Sequence, residues 1–169
     1  MTWLQRYRLH SFLKNSVWLP PLLGMLAALF YGMEGPLPAG VATIGGNALA
    51  LSSSGLMYFG TQRFYDQKVR WKLWASLGGL GLLGLSYFVL VQPDYRMRVA
   101  IFAGALTLLF AAHTRLLVQR GSGFAARFAA TVMGLQTLVF ATRLAAVYWV
   151  DTADATRFSP SPIHSAYFI

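Results

Sequence analysis

The stretch Leu73–Val91, LWASLGGLGLLGLSYFVLV, runs without a single charged side chain. At 1.5 Å of rise per residue, a helix of that length reaches about 28 Å, close to the ~30 Å hydrocarbon core of a bilayer. Arg70 and Lys72 precede it and Pro93-Asp94 follow it, so charge returns where water would. Inside a bilayer a segment of this kind must satisfy its backbone internally, as a helix does. The stretch therefore points to an all-α integral membrane bundle.

Four further blocks are also mostly apolar over about the same length, which makes about five transmembrane helices: Val17–Met33, Pro38–Thr61, Leu73–Val91, Arg98–Leu117 and Phe124–Val150. Pro20 and Pro21 fall in the first turn of the first block, where a missing N–H matters least. Gly35-Pro36-Leu37-Pro38 reads as a turn, so the first block is expected to stay as an uncleaved helix and not to be removed as a signal peptide. Composition agrees. The 169 residues are 56% hydrophobic and only 11% charged, with mean hydropathy +0.51, whereas a soluble domain carries roughly 25% charged residues.

Three segments follow: residues 1–16 as a basic cytoplasmic N-terminus, 17–150 as the helical bundle, and 151–169 as an outer-side segment. The last contains Phe158-Ser159-Pro160-Ser161-Pro162 and ends in Tyr167-Phe168-Ile169. It reads either as a loose tail with an aromatic anchor or as the start of a truncated sixth helix.

The net charge of +9 is a matter of loops and not of nucleic acid. One side of the membrane would hold Arg6, Arg8, Lys14, Arg63, Lys68, Arg70, Lys72, Arg115, Arg120 and Arg127; the other would hold Arg96, Arg98 and Arg157. Cytoplasmic loops carry the excess of Lys and Arg, so the N-terminus is expected inside and the C-terminus outside. The basic and aromatic loop from Thr61 to Lys72 then sits at anionic headgroups. The expected partners are the lipid bilayer and, through small-residue faces, the chain's own helices, a second copy or a larger membrane complex.

Those faces are read from spacing. Ala42, Gly46, Ala50 and Ser54 recur every four residues, with Gly45, Leu49 and Ser53 alongside; Gly78, Gly79, Gly81 and Gly84 cluster in the third block, and Ala126, Ala130 and Gly134 line the fifth. Small residues let backbones approach where lipid removes the hydrophobic drive between helices.

Chemistry is sparse. The chain has no cysteine, no lysine inside a block, and its carboxylates are scattered over loops. His113 lies near the inner end of the fourth block, with His10 and His164 in opposite terminal regions, so a bis-histidine haem is not expected. No cofactor, metal or catalytic activity is expected either. An ionisable group at membrane depth is costly and marks function by default, which singles out Arg143. Gln136 lies seven residues earlier on the same face. Two readings of Arg143 are open: an anion-binding or sensing site towards the outer leaflet, or a side chain that snorkels or pairs with Glu34 or Asp94. Asn47 in the second block has a packing and a ligand reading.

Several short motifs together resemble the membrane-spanning N-terminal input region of bacterial diguanylate cyclases, the GGDEF-type signalling proteins. They are Leu37-Pro38, Gly46-Asn47-Ala48-Leu49, Gly60-Thr61-Gln62-Arg63-Phe64, Pro93-Asp94-Tyr95-Arg96-Met97-Arg98-Val99, Arg143-Leu144-Ala145-Ala146 and Phe158-Ser159-Pro160-Ser161-Pro162, in that order over residues 35 to 169. The resemblance implies a sensor of the bacterial inner membrane that governs cyclic di-GMP synthesis through a cytoplasmic domain. Within it Asn47, Arg98 and Arg143 match recurring positions. The Gly-Gly-Asp/Glu-Glu-Phe signature is not in the chain, so any cyclase lies outside it. The expectation is an input module that signals by helix rearrangement; an accessory or scaffold subunit of a larger complex is the alternative.

Overall fold

The computed structural model describes residues 18–33 and 35–149. Among them are five α-helices and no strand: α1 (Leu19–Gly32), α2 (Ala39–Phe64), α3 (Trp71–Leu90), α4 (Tyr95–Arg120) and α5 (Gly123–Trp149). Residues 1–17, Glu34 and residues 150–169, including the expected start of a sixth helix, lie outside the described residues.

Three helices, α3, α4 and α5, are long and apolar enough to cross a membrane. The other two expected spans differ from them. At 14 residues, α1 extends only about 21 Å. With 26 residues α2 has the length, but Gly45, Gly46, Asn47, Ser52, Ser53, Ser54 and Gly55 dilute its hydropathy. The residues that make α2 a good packing partner make it a weak apolar segment.

Helix ends shift from the sequence reading for identifiable reasons. The Asp94 side chain accepts from the Met97 N–H at 3.1 Å, an N-cap that starts α4 at Tyr95 instead of Arg98. At the end of α2, Asp66 adopts φ 53°, its N–H bonds the Arg63 carbonyl, and the Gln67 N–H bonds the Gln62 carbonyl at 2.8 Å. This is a Schellman stop with aspartate in the left-handed position that glycine usually fills.

The helices form two close antiparallel pairs. The largest interfaces are α4 with α5 and α1 with α2; α3 packs more thinly against α2 and α4, and α2 also touches α4. In the first pair the glycines of α2 seat the aromatic rings of α1. A Cβ on Gly45 would lie 2.5 Å from the Phe30 ring, and one on Gly46 would lie 2.7 Å from the Tyr31 ring. In the second pair a stripe of Ala103, Leu106, Leu109, His113 and Leu117 is buried on α4, and Leu117 packs against Ala130 and Met133 of α5. Phe110 and Phe140 stack across the same seam at 5.7 Å.

The α2–α3 and α4–α5 connections meet at one end of the bundle: a Cβ on Gly121 would lie 3.1 Å from the Tyr65 hydroxyl. At the other end the start of α2 meets the end of α3, where Gly40 faces Leu90. Arg63, Lys68, Arg70, Lys72, Arg115, Arg120 and Arg127 therefore cluster towards the end marked by Tyr65 and Gly121.

Two substitutions at this end are expected to move stability in opposite directions. A Cβ on Gly121 would fall 2.5 Å from the Leu117 carbonyl and 2.6 Å from Ala126 Cβ, so Gly121→Ala is expected to cost about 1–3 kcal/mol. Asp66→Gly is expected to gain about 1 kcal/mol by relieving the left-handed backbone. Thermal unfolding in detergent, followed by circular dichroism, checks both signs.

Candidate functional site

Polar side chains within these helices mostly turn back on their own backbone. Thr107 bonds the Ala103 carbonyl, Thr114 that of Phe110, Thr137 that of Met133 and Ser86 that of Leu82, each four residues earlier at 2.7–2.8 Å. Hydroxyls spent this way offer little to a ligand. The informative polar groups are those that reach across helices.

Two such bonds join α1 to α2. Tyr31 Oη donates to Asn47 Oδ1 at 2.9 Å, while Asn47 Nδ2 donates to the Thr43 carbonyl at 2.7 Å. Ser53 Oγ donates to the Pro20 carbonyl at 2.6 Å, a second contact across the pair. Asn47 is buried, and both ends of its amide are engaged.

A second polar group sits where α2, α3 and α4 meet. Tyr58, Thr61 and Gln62 share one face of α2 at spacings of three and four. His113 Nε2 lies 2.9 Å from Thr61 Oγ1. The Thr61 hydroxyl has one proton and directs it to the Met57 carbonyl at 3.0 Å, so we assign His113 as the Nε2–H donor. The Tyr58 ring lies between His113, 5.6 Å away, and Trp74 of α3, 5.4 Å away in an edge-on contact. Gln62 Nε2 donates to Tyr58 Oη at 3.0 Å, and Gln62 Oε1 is buried with no hydrogen-bond donor. His113 is 2% exposed and Gln62 8%. This node connects the two helix pairs through side chains, and its position matches the inner end of the expected bundle. Sequence reasoning weighed His113 only as a haem ligand. The signal for the node was there, in the shared helical face of Tyr58, Thr61 and Gln62, but nothing in one dimension matched it to His113.

The four residues singled out from sequence do not converge. Asn47 belongs to the α1–α2 seam. Arg98 lies in the first turn of α4, its guanidinium 5.6 Å from the Tyr95 ring centre and its Nε buried without a partner. Gln136 and Arg143 share a face of α5, and that face is exposed. Asp94, one of the carboxylates weighed as a partner for Arg143, caps α4 through Met97; Glu34, the other, lies outside the described residues. Among the described residues, no group of three or more His, Cys, Asp or Glu side chains could hold a metal ion.

No protein-family model matches the chain, and no curated protein or solved structure matches it either.

The His113–Thr61 contact has a measurable worth. Hydrogen bonds between helices in lipid average about 0.6 kcal/mol in double-mutant cycles. A cycle of His113→Phe and Thr61→Val, read by unfolding in detergent, is expected to give a coupling of about that size. Strict additivity would mean that the two side chains do not act together.

Proposed function

We propose that this chain is a membrane-embedded signal-input module, multi-pass in the bacterial inner membrane, which transmits a signal by moving the α1–α2 pair against the α4–α5 pair. The observation that carries the reading is the uneven packing. Contacts are dense within each pair and thin between them, and a small set of polar and aromatic side chains bridges the gap: Tyr58, Gln62 and His113, which are buried, with the half-buried Thr61 and Trp74. A bundle built this way has one soft coordinate, the relative placement of two rigid pairs, and shifts of packed helices of this kind are a recurrent switching device. The sequence resemblance to diguanylate cyclase input regions supports the same role, with control of cyclic di-GMP synthesis as its output.

In this reading the end marked by Tyr65 and Gly121 is cytoplasmic, because it gathers the basic side chains. All five helices cross. The short α1 is accommodated by local thinning and by Trp18, 73% exposed, as a headgroup anchor.

One observation favours a second reading, an accessory or scaffold subunit of a larger membrane complex. On α3 a Cβ added to Gly78 or Gly79 would meet nothing within 4 Å, so these glycines leave a small-residue face uncovered.

Because the chain has no cysteine, single spin labels are easily placed. With labels at Leu22→Cys on α1 and Leu138→Cys on α5, both exposed, pulsed electron resonance in nanodiscs is expected to show two distance populations. Bilayer thickness should shift their ratio. One narrow distance that thickness leaves unchanged would remove the moving-pair mechanism, and a stop codon after Ile169 with no cyclase gene alongside would remove its link to cyclic di-GMP.

A further inference from the structure

We propose that the face of α5 bearing Gln136 and Arg143 docks a transmembrane helix of another membrane protein, one with a carboxylate near the outer leaflet and an amide seven residues deeper. The inference rests on α5 crossing the bilayer with its Gly123 end inside, as proposed above, and not on the signalling role, so either can fail alone.

Depth carries the argument. Gln136 lies thirteen residues from each end of Gly123–Trp149, hence at the centre of a helix about 40 Å long. Arg143 sits about 10.5 Å further out, inside the ~15 Å half-thickness of the hydrocarbon core. Both side chains are exposed, on a surface that also presents Leu135, Leu138 and Val139 and Thr142, whose hydroxyl bonds the Val139 carbonyl. Neither hydrogen-bonds to another described residue. With the helix centre set at the mid-plane, an uncovered glutamine there and an uncovered guanidinium in one leaflet are each costly in lipid, and ionisable groups at such depth face protein or a water-filled cavity.

The choice of occupant follows. A lipid phosphate satisfies Arg143 beside Tyr148 and Trp149, but headgroups do not reach the mid-plane, so Gln136 stays unsatisfied. A second copy packed in parallel about a two-fold axis brings Gln136 to Gln136, yet sets Arg143 against Arg143, and like charges in low dielectric repel strongly. A different helix meets both groups at once. Seven-residue spacing is the repeat with which two helices keep one seam in register. The guanidinium fork pairs with a carboxylate through two parallel bonds.

The test uses the full chain in phosphatidylcholine vesicles, donor-labelled at Leu22→Cys, and acceptor-labelled single-span peptides on a leucine–alanine host. One peptide carries Asn at its centre and Glu seven residues nearer the outer end; the control has Leu at both positions. Energy transfer is expected with the Asn–Glu peptide and not with the control. Arg143→Leu and Gln136→Leu are each expected to weaken it by about tenfold. Arg143→Glu should abolish binding of that peptide and restore binding of one with Lys in place of Glu. Equal transfer to the control, or binding indifferent to Arg143, overturns the proposal. So does Arg143-dependent transfer between two labelled copies, which assigns the face to self-association. Arg143-dependent retention of phosphatidylglycerol without peptide binding assigns it to lipid and overturns the proposal as well.

Discussion

Where lipid replaces water, apolar side chains gain nothing by leaving one hydrocarbon for another, so close approach and interhelical hydrogen bonds must hold the helices together. In this chain α2 supplies both. Gly45 and Gly46 admit the rings of Phe30 and Tyr31, Asn47 and Ser53 bond to α1, and Thr61 bonds to His113 of α4. Its modest hydropathy is the other side of that role. A helix with neighbours on three sides has less lipid to face and can carry glycine, serine and asparagine that a peripheral span could not.

Much of this was legible in one dimension, because two of the signals are local. Apolar length identified α3, α4 and α5, and spacings of four identified the small-residue faces on α2 and α5. Ala42 and Ala130 are buried, as that spacing implied. On α3 the same reasoning separates two kinds of glycine only after folding: Gly84 faces Ile101 of α4, while Gly78 and Gly79 face open space. Composition marks a residue as small; only the placement of neighbours says whether anything uses the room.

Helix ends were harder to read, since they depend on single side chains. Asp94 was weighed as a charge for Arg143, whereas its carboxylate caps α4. The Tyr58–Gln62–Thr61–His113 node escaped for a different reason. Thr61 and His113 are 52 positions apart, and no periodic pattern connects residues on different helices. Arg143 was found by its cost in hydrocarbon and Gln136 by its place seven residues earlier on the same face, and the structure leaves both side chains exposed on α5.

The division into two close pairs also bears on biogenesis. Each pair joins consecutive helices through a short connection, so most contacts are local and can form as soon as the second helix of a pair has been made. The α1–α2 hairpin would be complete while α4 and α5 are still being made, and the His113–Thr61 contact would close late, once α4 is in place. A chain interrupted between the two hairpins would therefore hold a pair whose ring-in-glycine seam is already made and whose α2 flank still lacks its α4 neighbour.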